Sequence, residues 1–350
     1  TSEIGRFVAA LKAGSNVKFR DLAWSLTKQA ESRVGAPLCL ALVAKDFTSL
    51  QADLDATIAS IAGNGRPLPQ SVRYSKNVPT TAPQLGFLFP GQGSQYVNMG
   101  RETALYVDEL RSALEFTDAT LRQEFPALLS RIIMPPATFD AEAESAQLKA
   151  LTDTRVAQPS IGALSLGYTR LAERLGLTAA AAAGHSYGEY AALHAAGALT
   201  AADFLKLSAV RGKCMAEAAA TSEKGAMAAI QARREVVAAA IAGIAGVKIA
   251  NHNAPEQAVI SGPAAGVEQA AKALEASGLR VTRLAVSGAF HTELVASAQT
   301  GLSAAIAASA ISAPRYSVYS NTTGKAYPAD VAGVKATLDG HLMNRVEFVA

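Results

Sequence analysis

Residues 184–190 read Gly-His-Ser-Tyr-Gly-Glu-Tyr, between a small apolar run, Leu177 to Ala183, and a helix-forming run, Tyr190 to Leu199. The glycines on either side of Ser186 remove Cβ atoms that would clash in a sharp turn from strand to helix. Such a turn projects the serine hydroxyl away from the backbone and places the next N–H near a helix N-terminus. The stretch therefore predicts an α/β fold with Ser186 as a candidate nucleophile; a serine that only caps the helix is the alternative.

The composition is that of a soluble α/β protein with two or three domains. The chain has 350 residues, of which 50% are hydrophobic and 17% are charged, and this length exceeds what one compact core usually holds. No apolar stretch reaches 18 residues without a polar interruption, which argues against a membrane span. Cys39 and Cys214 lie far apart without metal-ligand spacing. We therefore expect a cytoplasmic protein with neither a disulfide nor a metal site.

Charge is unevenly distributed along the chain. The net charge is +3, and residues 1–80 hold ten Lys or Arg against six Asp or Glu. These basic residues are scattered and lack interleaved aromatic side chains. They therefore favour an acidic protein partner, or a solvated face, over a nucleic acid.

The pattern of elements divides the chain into three parts. Residues 1–80 predict a small α/β unit that ends in a Gly- and Pro-rich linker. Residues 84–222 and 288–350 predict an α/β-hydrolase-like core. Residues 223–287 alternate as strand-helix-strand-strand-helix-strand, the order of a ferredoxin-like small subdomain inserted into that core. An insertion of this kind forms a cleft at its junction with the core, where ligands bind.

A serine hydroxyl is a poor nucleophile at neutral pH and needs a base within hydrogen-bond reach. Among the five histidines, His291 follows a predicted strand, Leu279 to Ser287, through a short Gly-Ala-Phe loop from which it can reach a cleft. A loop histidine with satisfied hydrogen bonds is the alternative. The acidic residues between Ser186 and His291 lie in helical or inserted segments. A Ser–His dyad is therefore favoured over a triad with a carboxylate.

Two further segments are candidates for ligand contacts. Arg211 lies in an otherwise apolar helix predicted at about 201–220, where a buried guanidinium would need an anion such as a carboxylate. A surface arginine fits the same helix pattern equally well. The glycine-rich turn at residues 90–95 lacks the Lys-Ser/Thr ending of a phosphate loop and the third glycine of a dinucleotide-binding fingerprint. A plain connection and a turn that offers backbone N–H groups to a ligand both remain open.

Taken together, these motifs resemble those of malonyl-CoA:acyl-carrier-protein transacylases and of the acyltransferase domains of polyketide and fatty-acid synthases. They occur in family order as Phe89-Pro90-Gly91-Gln92-Gly93-Ser94-Gln95, Ala157-Gln158-Pro159, Gly184-His185-Ser186-Tyr187-Gly188-Glu189, Arg211-Gly212, Asn253-Ala254-Pro255 and Gly288-Ala289-Phe290-His291. The resemblance covers about residues 84–350. Residues 1–80 resemble the linker domain that joins a ketosynthase to such an acyltransferase, which implies a piece of a multidomain synthase.

The resemblance implies a role for each motif. Ser186 would form an acyl-enzyme, with His291 as general base and then general acid. The backbone N–H groups of Gln92 and Tyr187 would form an oxyanion hole. Arg211 would pair with the free carboxylate of a malonyl group. The substrate pocket would be lined by Gln158, Asn253, Gly288 and Phe290.

The resemblance also bears on substrate choice. Phe290 would fill the space of an α-methyl group, so malonyl would be favoured over methylmalonyl. Gly288 replaces the histidine that is common in malonyl-type members; here the chain is similar to acyltransferases of iterative enediyne and polyunsaturated-fatty-acid synthases.

The resemblance also has implications for the last residues of the chain. The backbone carbonyl of Glu347 would orient His291. The family continues beyond the region of Phe348, so we expect the chain to end inside the family's domain.

The implied reaction moves malonyl from malonyl-CoA to the phosphopantetheine thiol of an acyl carrier protein, without a bound cofactor or metal ion. The implied partners are that carrier protein, the adjacent ketosynthase and other synthase domains, with neither nucleic acid nor membrane. Two alternatives remain open: a serine acyl-hydrolase built on the same turn, and a non-catalytic scaffold domain that docks its neighbours through residues 1–80.

Overall fold

The computed structural model describes residues 6–7, 9–11, 13, 17–32, 36, 38–63, 66–76, 84–221, 224–284 and 288–349. Its contacts divide the chain into two compact units, Thr1–Pro83 and Gln84–Ala350.

The smaller unit combines helices with a two-stranded sheet. Its described elements are α1 (Phe19–Glu31), β1 (Cys39–Leu42), α2 (Phe47–Ile61) and β2 (Val72–Ser75). β1 and β2 pair antiparallel, and Leu50 and Leu54 of α2 are buried at the centre of an apolar cluster. A capping box begins α2, in which the Ser49 N–H donates to the Asp46 carboxylate at 2.7 Å. Within the small α/β unit predicted over residues 1–80, the apolar run Pro37 to Ala44 contains β1 at Cys39–Leu42, and Pro37 lies outside the described residues.

The larger unit alternates helices and strands. Its described helices are α3 (Arg101–Tyr106), α4 (Asp108–Thr120), α5 (Leu129–Ile133), α6 (Ala141–Thr152), α7 (Thr154–Arg174), α8 (Gly188–Ala195), α9 (Ala201–Thr221), α10 (Arg234–Ile241), α11 (Ala264–Ala276), α12 (Ser297–Ala308) and α13 (Val331–Gly340), with a 3-10 turn at Glu293–Val295. Its described strands are β3 (Leu85–Phe89), β4 (Ala179–Gly184), β5 (Gly225–Ile230), β6 (Lys248–Ala254), β7 (Gln257–Pro263), β8 (Val281–Arg283), β9 (Ser317–Tyr319) and β10 (Val346–Glu347).

A three-stranded parallel sheet in the order β3-β4-β9 positions the candidate site. Its central strand β4 consists of five alanines and Gly184, and these small residues allow close approach. A Cβ at Gly184 would overlap the carbonyl carbon of Gly188, so the strand and α8 can meet only because this residue is glycine. The strand-turn-helix predicted around Ser186 is confirmed. The helix begins at Gly188 rather than Tyr190 because the turn is that tight.

The second sheet has the order β10-β6-β7-β5-β8. The elements from β5 to β8 follow the predicted strand-helix-strand-strand-helix-strand order, and their neighbouring strands pair antiparallel. β10 returns from the end of the chain and pairs with β6 in parallel. β8 is shorter than the strand predicted at Leu279 to Ser287, since it ends at Arg283 and residues 285–287 lie outside the described residues. The larger unit is therefore a mixed α/β structure.

None of the helices in the described ranges is long and apolar enough to cross a membrane.

Candidate active site

Ser186 lies on the turn between β4 and α8 in a left-handed backbone conformation. Its φ is 49°, a region that costs a residue other than glycine about 1–2 kcal/mol. Hydrogen bonds to distant residues help to hold the turn: the His185 N–H donates to the Phe89 carbonyl at 2.9 Å, and the Ser186 N–H donates to Asn321 Oδ1 at 2.6 Å. The strained turn thus places the Ser186 hydroxyl at the carboxyl edge of the parallel sheet, where ligands bind in open α/β sheets.

His291 contacts the Ser186 hydroxyl directly. Its Nε2 lies 3.0 Å from Ser186 Oγ, within reach for proton transfer. On the other side of the ring, Nδ1 lies 2.9 Å from the backbone oxygen of Asn344. A carbonyl oxygen can only accept, so Nδ1 carries the hydrogen and Nε2 is left to accept the serine proton.

The carbonyl that orients His291 was predicted at Glu347, and this prediction is wrong. Asn344, three residues earlier, supplies it from the turn that follows α13. Glu347 lies instead in β10, where its N–H donates to the Asn321 carbonyl at 2.8 Å and the next N–H donates to His252. Pairing with β6 therefore directs the backbone of Glu347 away from His291.

The ring of His291 is neutral in the free protein. Burial lowers the pKa of His291 to about 3, and the positive charge of Arg211 lowers it further in the same direction. In the described part of the chain, no carboxylate bonds either ring nitrogen. The arrangement is a serine and a histidine with a backbone carbonyl as orienter.

Arg211 is a buried cation beside the nucleophile. Its side chain is 1% exposed, and its Nη2 donates to Ser186 Oγ at 3.3 Å while Nη1 donates to Gln158 Oε1 at 2.8 Å. Among the residues that the structure describes, its Nε has no hydrogen-bond partner, and no carboxylate forms an ion pair with its guanidinium. Burial lowers the pKa of Arg211, although a guanidinium stays protonated. A buried cation in this state favours an incoming anion.

The glycine-rich turn after β3 lies against the Ser186 turn. A Cβ at Gly91 would overlap the carbonyl oxygen of His185, so the two turns touch through backbone. Gln92 is tied to the neighbouring helix, because its Nε2 donates to Thr154 Oγ1 at 3.0 Å. The backbone N–H groups of Gln92 and Tyr187 make no hydrogen bond to any described residue. Of the two interpretations left open for this turn, the geometry favours the one in which it offers an N–H to a ligand.

The remaining predicted pocket residues lie around this centre at different distances. Asn253 meets the site through His185, whose Nε2 lies 2.7 Å from Asn253 Oδ1. Phe290 is 7% exposed. A Cβ at Gly288 would lie 3.0 Å from the Cβ of Ala219 and 3.4 Å from Cε1 of Phe290. Gly288 therefore lets the loop before His291 pack tightly on α9.

Comparison with known proteins identifies the family of this chain. Residues 86–344 match the family described as the acyl transferase domain. The chain belongs to this family. The resemblance read from its motifs is thereby confirmed.

Individual relatives of this acyl transferase domain differ in length. The chain is 36% identical over 269 residues to the malonyl CoA-acyl carrier protein transacylase of Bacillus subtilis, which covers 75% of this chain and 78% of that protein. It is 34% identical over 257 residues to polyketide synthase GfsA of Streptomyces halstedii, which covers 71% of this chain but 3% of the synthase. The crystal structure of the acyltransferase domain from the second module of the salinomycin polyketide synthase aligns with a TM-score of 0.74 and 31% identity, over 99% of this chain and 75% of that one.

Sequence reasoning missed a buried polar cluster beside the Ser186 turn of this acyl transferase domain. Its members are Glu189, Asn321, Tyr327 and His341, each at most 6% exposed. The Glu189 carboxylate accepts hydrogen bonds from the Asn321 N–H and the Tyr327 hydroxyl, and burial raises the pKa of Glu189 to about 7. The sequence signal that could have indicated this cluster is Glu189, a charged residue in the first turn of the mostly apolar helix α8.

The fourth member of this cluster, His341, lies between the cluster and the pair formed by Ser186 and His291. Its Nε2 lies 3.6 Å from Glu189 Oε1, and its ring meets the ring of His291 edge to face, with centroids 5.8 Å apart. Burial holds the pKa of His341 well below its usual range. In the described ranges, no group of three or more His, Cys, Asp or Glu side chains is arranged to hold a metal ion.

Proposed function

We propose that this acyl transferase domain moves a malonyl group from malonyl-CoA to the phosphopantetheine thiol of an acyl carrier protein. One observation carries the proposal: Arg211 is a buried guanidinium with no ion-pair partner among the described residues, and its Nη2 lies 3.3 Å from Ser186 Oγ. An acyl group that bears a carboxylate can pair with Arg211 while its thioester carbon lies beside the hydroxyl. The name of the Bacillus subtilis relative, malonyl CoA-acyl carrier protein transacylase, supports the same substrate.

In the first half-reaction, Ser186 Oγ attacks the thioester carbon of malonyl-CoA and its proton passes to His291 Nε2. The backbone N–H groups of Gln92 and Tyr187 stabilise the negative charge that develops on the carbonyl oxygen. The C–S bond then breaks, and the leaving CoA sulfur takes the proton from His291. Malonyl remains on Ser186 as an ester.

In the second half-reaction, the carrier-protein thiol gives its proton to His291 and attacks the ester carbon. The bond to Ser186 Oγ breaks, and His291 returns the proton to that oxygen. Because the two thiols act in turn on one ester, the route is ping-pong. The Asn344 carbonyl holds the hydrogen on His291 Nδ1 throughout, so Nε2 is the only ring position that exchanges protons.

The pocket residues would select the acyl group. Gln158 accepts from Arg211 Nη1 at 2.8 Å and so fixes the plane of the guanidinium that meets the carboxylate. We propose that Phe290 fills the space of an α-methyl group and that Gly288 allows Phe290 to lie there. Asn253, bonded to His185, would line the edge of the pocket.

We also propose the finer domain assignment. Residues 84–222 and 288–350 would form an α/β-hydrolase-like core, residues 223–287 a ferredoxin-like small subdomain, and residues 1–80 a linker domain to a ketosynthase. The chain would act in the cytoplasm as part of a multidomain polyketide synthase. Its match to a small fraction of a polyketide synthase supports this context.

Intact-protein mass spectrometry after brief mixing with malonyl-CoA, methylmalonyl-CoA or acetyl-CoA tests the proposal, with Ser186→Ala as the control. We expect an adduct of malonyl mass that is absent in the variant and that passes to a holo carrier protein. Free malonate without a loaded carrier would show a serine hydrolase instead. If the protein forms no adduct and shows no turnover, a scaffold role would be favoured.

A further inference from the structure

We propose that Asn321 is a positioning residue for the nucleophile: its side-chain oxygen holds the turn at Ser186, and buried Glu189 holds Asn321. The inference rests on the proposed acyl-enzyme at Ser186. Asn321 is 2% exposed and follows β9, 135 residues beyond Ser186 in sequence. Its Oδ1 accepts the Ser186 N–H at 2.6 Å.

The Ser186 N–H has no partner in regular secondary structure. β4 ends at Gly184 and α8 begins at Gly188, so Ser186 belongs to neither ladder of hydrogen bonds. A buried N–H without an acceptor is unfavourable, and the left-handed φ of 49° at this residue is already strained. Asn321 is the acceptor that makes this conformation tolerable. Without it, the turn can relax and move Oγ away from His291.

Asn321 is itself held at both backbone groups. Its N–H donates to the Glu189 carboxylate, and its carbonyl accepts the Glu347 N–H at 2.8 Å. Glu189 lies three residues after Ser186 and also accepts from the Tyr327 hydroxyl. Because both backbone groups of Asn321 are fixed, its side-chain oxygen is held where it accepts the hydrogen bond from the Ser186 N–H.

This arrangement also gives the backbone N–H groups near Ser186 different roles. The Ser186 N–H is engaged by Asn321, whereas those of Gln92 and Tyr187 bond no described residue. The oxyanion site proposed above therefore has two free donors, and the third N–H serves to position the nucleophile. A positioning role predicts a loss in the rate of acylation rather than in substrate binding.

A matched pair of substitutions tests the inference. Asn321→Leu keeps the approximate shape but removes the acceptor, and Asn321→Asp keeps an oxygen at the same place. We expect Asn321→Leu to slow single-turnover acylation by malonyl-CoA on the order of 100-fold at saturation, as a shift of about 1 Å does in other enzymes. The half-saturating concentration should stay within about threefold of the unmodified protein, and Asn321→Asp should recover most of the rate.

The control is Asn251→Leu, at another buried asparagine (5% exposed) whose side-chain oxygen bonds none of the described residues. Its acylation rate should stay near that of the unmodified protein. Equal rates for the Leu and Asp variants at residue 321, or equal losses in the Leu variants at 321 and 251, would overturn the inference. An unmodified protein that forms no adduct would instead refute the proposed function.

A measurement on the unmodified protein does not depend on whether the variants fold. Hydrogen–deuterium exchange resolved at single amides should show the Ser186 N–H protected, and the N–H groups of Gln92 and Tyr187 exchanging faster. A Ser186 amide that exchanges as fast as those two would show that Asn321 does not hold it, and would overturn the inference.

Discussion

The parallel sheet β3-β4-β9 and the antiparallel sheet formed by β5 to β8 each contain an alanine-rich strand, β4 and β5, but they differ in how much backbone strain and buried charge they hold. The turn after β4 carries a strained Ser186, and buried Arg211 and Glu189 lie close to it. The antiparallel sheet encloses an apolar cluster, and its charged side chains, such as Arg283, are exposed.

Strain and buried charge in this molecule thus concentrate where the chemistry is proposed. Among the described residues, the non-glycine residues with positive φ are Asn98, Ser186 and His291, and none lies in residues 225–283. Such features persist only where the surrounding structure holds them in place. The antiparallel sheet contributes to the site mainly through Asn253, which bonds His185.

The largest effect should come from removing the buried cation. Arg211→Ala deletes the proposed partner of the malonyl carboxylate, and breaking a buried ion pair commonly costs about 3–5 kcal/mol. We expect malonyl loading to fall by about 100-fold or more, and acetyl loading, which involves no carboxylate, to fall far less. Initial rates of adduct formation by mass spectrometry measure both. Equal losses would contradict the assigned role.

The next largest effect concerns packing, and it compares directly how the two sheets respond to an added methyl group. In Gly184→Ala the new Cβ would overlap the backbone of Gly188, and overpacking of this kind costs about 1–3 kcal/mol or more. A Cβ at Gly243, beside the antiparallel sheet, meets nothing within 4 Å. Gly243→Ala should therefore be neutral or stabilise by at most about 1 kcal/mol. Urea unfolding compares the two variants, and equal midpoints would refute the contrast.

A third prediction concerns pH. The pKa of His291 in the folded protein is lowered to about 3, so its base form persists far below the usual histidine range near 6.5. We expect kcat/KM for acylation to change by less than about twofold between pH 8 and pH 5.5, where an unperturbed histidine would lose about tenfold. A tenfold fall over that range would show that burial does not control this histidine.

The same pKa shift has a consequence for stability. The folded pKa lies below the unfolded one, so the unfolded chain binds the proton first as pH falls. The contribution of His291 to stability is complete above about pH 6.5 and is lost between there and pH 3. His291→Gln should reduce the loss of stability between pH 7 and pH 5, as measured by urea unfolding. If His291→Gln lost as much stability over this pH range as the unmodified protein, the lowered pKa of His291 would be contradicted.

The smallest effect is expected on the antiparallel sheet. Arg283 pairs with Glu268 and Glu275, each at 2.8 Å, but all three side chains are exposed. Water and salt screen such pairs. Arg283→Ala should leave acylation and the thermal midpoint unchanged within error. A clear loss of acylation would mean that this sheet takes part in the chemistry.

Local features of the site were predictable because they depend on neighbours in sequence. The glycines around Ser186 dictate a tight turn wherever they occur between a strand and a helix. The helix pattern around Arg211 fitted a buried and a surface arginine equally well, and the tertiary structure decided that it is buried. The alternation of elements in residues 225–283 likewise follows from hydrophobic periodicity. The match to the acyl transferase domain family spans residues 86–344, which contain all of these features.

The sequence by itself determined the turn that carries Ser186, the order of strands and helices and the family. Only the tertiary structure decided that Asn344 rather than Glu347 orients His291, and that Asn321 receives the Ser186 N–H. These contacts join residues 53 and 135 positions apart. The pairing of distant strands and the packing of α13 bring these residues together. Local propensity depends on neighbours in sequence, so it does not predict which distant strands pair.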